Sequence, residues 1–131
     1  MGNYKLPKLV LTSIVAVLLY LFIPSSAFAQ ACTTPGAPSN VTIDYPNCSG
    51  QDCNFEQASC SWGAATGATS YSVSVTEVDS GTAVATNQTV TGTTYVFPVT
   101  PNKTYKCDVT GTNSCGQAGA TGTASLLCQT S

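Results

Sequence analysis

Apolar and polar residues alternate along most of the chain after residue 30. Neighbouring side chains of a β-strand point to opposite faces of a sheet, so each alternating run predicts a strand with one buried face. The apolar members of these runs are Val41, Ile43, Tyr45, Ala58, Cys60, Trp62, Tyr71, Val73, Val75, Tyr95, Phe97, Val99, Tyr105, Cys107 and Val109. Segment 82–91 is rich in β-formers but weakly patterned, and we expect an edge strand there.

Turn-forming residues separate these runs. Gly63 to Thr69 contains two glycines, Asp79-Ser80-Gly81 suits a tight hairpin, and Asn113-Ser114-Cys115-Gly116 closes the sixth run. No helical periodicity occurs after Ala29. Short strands at this spacing predict an all-β sandwich or barrel.

The first 29 residues have the pattern of a secretory signal peptide. Lys5 and Lys8 precede the apolar run 9–23, and Ala27-Phe28-Ala29 is a small-x-small ending that predicts cleavage after Ala29. A retained membrane anchor is the alternative, although a transmembrane helix needs about 20 apolar residues and this run is shorter. Lipid attachment at Cys32 is a further alternative. The predicted division is a signal peptide (1–29), a short leader (30–38) and one domain (39–131).

Composition argues against several classes of function. The chain has no His and no Arg, and beyond the predicted signal two lysines stand against six carboxylates, a net charge of −4. Such a surface does not favour nucleic acid or anionic lipid. Without His there is no Ser-His or Cys-His nucleophile pair. The scattered acids form no close set of calcium ligands. We therefore expect no enzyme activity, no catalytic residue, no cofactor, no metal site and, after signal cleavage, no membrane contact.

A series of short motifs resembles the fibronectin type III family. Ala37-Pro38-Ser39-Asn40-Val41 is similar to the start of the family's first strand. Ser59-Cys60-Ser61-Trp62 resembles the second strand, which ends on a core Trp. Further resemblances lie in Ala68 to Val73, Thr94 to Phe97 and Val99 to Tyr105. The resemblance covers nearly all of the chain after the signal and implies an immunoglobulin-like, two-sheet antiparallel β-sandwich of about seven strands. The many cysteines and the long stretch 46–54 depart from the family.

Four aromatic residues are expected in the core of this sandwich: Trp62, Tyr71, Tyr95 and Tyr105. Tyr105 lies two residues before Cys107, the position of the tyrosine corner in immunoglobulin-like sandwiches. Its ring would be buried and its hydroxyl bonded to nearby backbone. Trp62 shares the parity of Cys60 and is therefore expected to pack in the core rather than to bind a ligand.

All seven cysteines follow the predicted signal, which indicates disulfides rather than metal binding. In the resembled sandwich Cys60 and Cys107 point inward from facing sheets, and we expect a disulfide across the core. Cys32 would lie at the same end of the sandwich as Cys115, and we expect this pair as well.

The three remaining cysteines leave alternatives open. Cys48 and Cys53 are close enough in sequence to pair locally. Cys128 is then a free thiol, an intermolecular link in a homodimer, or an alternative partner of Cys48 or Cys53.

These features together predict a secreted or cell-surface, non-catalytic binding or adhesion module that contacts protein or glycan. The loops at Gly63 to Thr69 and Asn113 to Ala118 are the expected contact surface. Because they hold no aromatic or Arg anchor, the alternative is a structural component of an envelope or matrix, as a monomer or a disulfide-linked dimer. N-glycosylation sequons begin at Asn40, Asn47, Asn87 and Asn102.

Overall fold

A computed structural model describes residues 32–45 and 56–128 of the chain. These residues form β1 (Ser39–Asp44), β2 (Gln57–Gly63), β3 (Ser70–Glu77), β4 (Thr82–Val90), β5 (Thr94–Pro98), β6 (Thr104–Thr112) and β7 (Ala118–Leu127). The predicted signal peptide, the predicted Cys48–Cys53 pair and the sequon at Asn47 lie outside the described residues. Within the described ranges, no helix has the length and hydropathy needed to cross a lipid bilayer.

The strands form two antiparallel sheets. One sheet has three strands in the order β1-β2-β5, and the other has four in the order β4-β3-β6-β7. The central strands are paired over their full length: Ser70 of β3 lies opposite Thr112 of β6, and Glu77 lies opposite Tyr105. The predicted all-β, two-sheet sandwich of about seven strands is thereby confirmed.

The core lies between the sheets and is built by the alternation that the sequence shows. In β3 and β6 every second residue is buried, so Val73 packs beside its register partner Val109. Ala58, Cys60 and Trp62 of β2 supply the facing layer. Burying a Val-sized side chain contributes roughly 1.5–3 kcal/mol, and these central strands therefore provide most of the hydrophobic stabilisation.

Aromatic side chains join the two sheets. Trp62 meets Tyr71 edge-on with ring centroids 5.4 Å apart, and Phe97 packs against Tyr105 at 5.9 Å. The Nε1 atom of Trp62 is buried and has no hydrogen-bond partner within the described part of the chain. Tyr95 of β5 is only half-buried, whereas Phe97 on the same face of that strand is fully buried.

The outer strands of the four-stranded sheet are mostly exposed. β4 lies at its edge, as the weak pattern predicted, and its register with β3 shifts twice. Asn87 within β4 has a positive φ of 47°. Irregular, twisted edges of this kind hinder pairing with a further strand. β7 occupies the other edge, and residues 35–41 pack against it.

Candidate functional site

Three segments meet at one end of the sandwich, which we call the leader pole. It consists of the leader residues 32–38, the loop 64–69 and the turn 113–117. The two loops that the sequence placed at one end are linked here through the leader. Among the described residues, no group of three or more His, Cys, Asp or Glu is placed to hold a metal ion.

Asn113 organises the turn of the leader pole. Its buried Oδ1 atom accepts hydrogen bonds from the backbone N–H groups of Cys115, at 3.0 Å, and Gln117, at 2.9 Å. Its Nδ2 atom donates to the carbonyl oxygen of Thr33 and to Oε1 of Gln117, both at 3.0 Å. The Asn amide combines an acceptor oxygen with two N–H donors in one short side chain. Asn113 therefore holds the turn and the leader together.

The leader runs against the loop 64–69 on its other side. The backbone N–H of Gly36 donates to the carbonyl oxygen of Thr66 at 3.0 Å. Pro35 and Pro38 are buried, whereas Thr34 and Thr66 are exposed. The leader is thus a packed part of the pole with a polar outer surface.

Two glycines of β7 make room for the leader. A Cβ atom at Gly119 would overlap the carbonyl oxygen of Pro35, and one at Gly122 would lie 2.6 Å from Cγ2 of Val41. Any larger residue at Gly119 would therefore push the leader backbone outward. The sequence analysis identified Asn113 only as the start of a turn and contact loop, and it did not single out Gly119 or Gly122. The Asn113-Ser114-Cys115-Gly116 turn was a usable signal, because Asn side chains often bond to the backbone two residues on.

Two disulfides lie in very different surroundings. Cys60 of β2 is joined to Cys107 of β6 across the core, and both residues are 0% exposed. Cys32 of the leader is joined to Cys115 of the turn, and both residues are exposed. The structure thus brings together both pairs that the resemblance implied. Cys32, the residue considered for lipid attachment, takes part in this disulfide.

Cys128 carries a free thiol and is 0% exposed. Its backbone is fixed at the opposite end from the leader pole, where its N–H donates to the carbonyl oxygen of Lys103 at 2.9 Å. Tyr45 lies beside it. Burial raises the pKa of the Tyr45 hydroxyl above its usual value, and the neighbouring Cys128 thiol adds to the rise. An intermolecular disulfide through Cys128 would first require exposure of this thiol.

The end opposite the leader pole is closed by Tyr105. The backbone N–H of Thr100 donates to its hydroxyl at 2.8 Å, which is the geometry of a tyrosine corner. Nearby, the N–H of Thr104 donates to Oδ2 of Asp79 at 2.7 Å. Lys103 and Glu77 form an ion pair at 3.1 Å. The hydrogen bond to Glu77 raises the pKa of Lys103 above its usual value.

The outer face of the four-stranded sheet is neutral and rich in hydroxyl groups. Lys106 and Asp108 pair on it at 2.9 Å, and the Thr123 hydroxyl donates to Asp108 at 2.7 Å. Partial burial acts to raise the pKa of Asp108, but the hydrogen bonds from Lys106 and Thr123 outweigh it and lower this pKa. The hydroxyls of Thr110 and Thr121 are bonded to each other at 2.7 Å. The polar groups of this face largely satisfy one another.

The sequon asparagines that the structure describes share one backbone property. Asn40, Asn87 and Asn102 all have positive φ, at 48°, 47° and 63°. Asn tolerates this conformation better than most residues. The Ser74 hydroxyl also donates to Oδ1 of Asn87 at 3.3 Å. Backbone conformation therefore explains these asparagines without glycosylation.

Comparison with known proteins places this architecture in one fold family. No protein-family model matches the chain, and no curated protein matches it by sequence. Solved structures do match. A fibronectin type III structure called FN3tt has a TM-score of 0.59 at 18% identity, covering 76% of this chain and 99% of the other. A two-domain fibronectin type III segment of chicken tenascin has a TM-score of 0.57 at 20% identity, covering 72% and 51%.

A bacterial structure also matches. A Fn3-like protein from Clostridium thermocellum has a TM-score of 0.50 at 26% identity, covering 70% of this chain and 92% of the other. Together with the sheet order, these similarities show that the described residues form a fibronectin type III-like domain.

Proposed function

We propose that this domain is a secreted or cell-surface, non-catalytic binding or adhesion module whose contact surface is the leader pole. The observation that carries the proposal is the joining of three segments into one surface by the Cys32–Cys115 disulfide, the Asn113 hydrogen bonds and the backbone hydrogen bond from Gly36 to Thr66. Ordering loops before binding lowers the entropic cost of association. Intramolecular disulfides are also consistent with secretion or a place in the cell envelope.

The chemistry of the pole favours a polar partner. Its exposed residues include Thr34, Thr66, Ser114 and Gln117, which offer neutral hydrogen-bonding groups. Cations are absent from the pole, so phosphate-rich partners gain nothing there. A glycan or a polar protein surface fits these groups best.

A matched pair of variants tests the position of the surface. The protein 30–131 is applied to cells and to a glycan array, and saturable attachment is measured. Thr66→Lys with Ser114→Lys adds two charges at the leader pole, and we expect it to weaken attachment at least about tenfold. Gln57→Lys with Thr100→Lys adds the same charge at exposed positions of the opposite end and serves as the control. Equal attachment by both variants would contradict the proposed surface.

A structural role in an envelope or matrix is the second candidate. It is favoured by one observation: the described residues of the leader pole include no aromatic side chain and no Arg, the types that dominate binding hot spots. Cell fractionation separates the two candidates. A structural component co-fractionates with the envelope and shows no saturable attachment, whereas a binding module shows saturation at a defined number of sites.

A further inference from the structure

The two described disulfides differ in their access to solvent. Cys60–Cys107 lies in the core, where both residues are fully buried. Cys32–Cys115 lies on the surface of the leader pole, where both residues are exposed. Thiol–disulfide exchange requires a thiolate to reach one of the sulfur atoms. A reductant in solution therefore reaches the second disulfide without unfolding the domain.

The exposed disulfide reinforces a segment that is otherwise held by two buried prolines and a few hydrogen bonds. The leader is not a strand, and its contacts include the Gly36–Thr66 backbone hydrogen bond and the Asn113–Thr33 hydrogen bond. Its backbone fits against Gly119, which has no side chain to grip it. Polar contacts of this kind contribute about 0.5–1.5 kcal/mol each. The disulfide is thus the strong connection between leader and turn.

The strand pairing is irregular where the leader joins β1. Between Ser39 and Thr42 the register of β1 with β2 shifts, and Asn40 has a positive φ. Beyond this irregularity, β1 pairs regularly with β2 from Thr42 to Asp44. This regular pairing, together with the pairing of Ser39 and Gly63, holds β1 in its sheet, and we expect it to persist when residues 32–38 separate from β7.

We propose that Cys32–Cys115 is a redox latch, whose reduction by a dithiol releases residues 32–38 from β7 while the sandwich stays folded. One thiolate of the dithiol attacks a latch sulfur, the S–S bond breaks, and a mixed disulfide forms. The second thiol of the reductant then displaces the protein sulfur. Two electrons pass to the protein, both latch cysteines end as thiols, and the reductant ends as a disulfide. The latch requires no bound partner and thus goes beyond the proposed function.

Graded reduction of the wild-type protein tests the latch. The protein 30–131 is treated with increasing dithiothreitol, alkylated without denaturant and mapped by mass spectrometry. We expect Cys32 and Cys115 to be labelled at reductant concentrations at least about tenfold lower than Cys60 and Cys107, because access controls exchange. Simultaneous labelling of all four cysteines would overturn the proposal.

Hydrogen exchange of the selectively reduced protein tests the release. We expect the amides of Gly36, Cys115 and Gln117, which are bonded within the leader pole, to exchange at least about tenfold faster after reduction. The amides of Val73 and Val109 in the core should not change. Unchanged exchange at the pole, or faster exchange throughout the domain, would each contradict a local latch.

Two glycine variants test whether the leader can be released from β7 while the disulfide stays intact. In the oxidised protein, Gly119→Ala places a Cβ against Pro35 and should speed exchange at Gly36 with the disulfide intact. Gly92→Ala, where a Cβ meets nothing within 4 Å, is the control and should leave exchange unchanged. Equal exchange in the two variants would show that the leader is not seated against Gly119. Should Gly119→Ala fail to fold, graded reduction of the wild type still decides the proposal.

Discussion

The centre of the sandwich and the leader pole are both held by a disulfide, yet different forces build them. In the centre, Val73, Cys107 and their neighbours are fully buried, and apolar burial dominates. At the pole, Asn113 and the backbone of the leader are joined by hydrogen bonds, and Gly119 provides space rather than contact area. Alternating apolar side chains thus build the core of the sandwich. Hydrogen bonds from Asn113 and the absence of a side chain at Gly119 determine how the leader packs at its end.

Accessibility follows the same division. The Cys60–Cys107 disulfide in the centre is buried, whereas the Cys32–Cys115 disulfide at the pole lies between exposed residues. A substitution in the centre should therefore lower the stability of the whole domain. A substitution at the leader pole should first loosen the leader, the loop 64–69 and the turn 113–117.

The largest effect is expected from removing the central disulfide. Cys60→Ala with Cys107→Ala should lower the free energy of unfolding by about 4 kcal/mol, because the bond closes a long loop in the unfolded chain. Urea denaturation measures this loss. Val96→Ala on the exposed side of β5 is the control and should change stability by less than about 0.5 kcal/mol. A double variant as stable as the wild type would show that the Cys60–Cys107 disulfide does not add to the free energy of unfolding.

A smaller effect is expected from replacing Asn113, whose side chain joins the turn and the leader. Asn113→Ala removes the acceptor for the N–H groups of Cys115 and Gln117. Leaving such groups unpaired costs roughly 1–3 kcal/mol. Denaturation gives the size of the loss, and hydrogen exchange should place it at the pole. The exposed Ser114→Ala is the control. A loss spread evenly through β3 and β6 would break the distinction between pole and centre.

The tyrosine corner should contribute less. Tyr105→Phe keeps the buried ring but removes the acceptor for the Thr100 N–H, and we expect a loss of about 1 kcal/mol. Tyr95→Phe, at a half-buried ring on the edge strand, should cost less than about 0.5 kcal/mol. Thermal unfolding compares the two variants. Equal losses would mean that the hydrogen bond to Thr100 does not stabilise the corner.

The smallest effect concerns alkaline pH. Burial raises the pKa of Tyr45 in the folded protein, and the neighbouring Cys128 thiol adds to the rise. The stability linked to this group is fully present below the unfolded pKa of about 10 and is lost as pH rises through the folded value. Tyr45→Phe should therefore flatten the fall of Tm above about pH 10. An unchanged pH profile in this variant would assign the alkaline loss to other groups.

Much of the fold was predictable because the central strands are half-buried. In β2, β3 and β6 one face is apolar and the other polar, so the period of two is visible in the sequence. The tyrosine-corner position of Tyr105 followed from its spacing to Cys107. Tyr95 was expected in the core by the same parity, and it packs against the core cluster but stays half-buried.

The ends of the fold were much less predictable. β7 has Gly122 and Ala124 at inward positions, because the neighbouring segment 38–41 leaves no room for large side chains at Gly122. Its sequence therefore lacks apolar alternation. The hydrogen bond from Asn113 to Thr33 spans 80 positions, and no local pattern reveals a contact of that kind.

Peptide mapping of the natively produced, non-reduced protein tests the central claim most directly. The claim is that one disulfide links the two sheets through the core and another links the leader to the turn of the leader pole. We predict one linked peptide pair that contains Cys60 and Cys107, a second that contains Cys32 and Cys115, and Cys128 labelled as a thiol only after unfolding. A peptide joining Cys60 to any other cysteine, or one joining Cys32 to any residue but Cys115, would contradict the account.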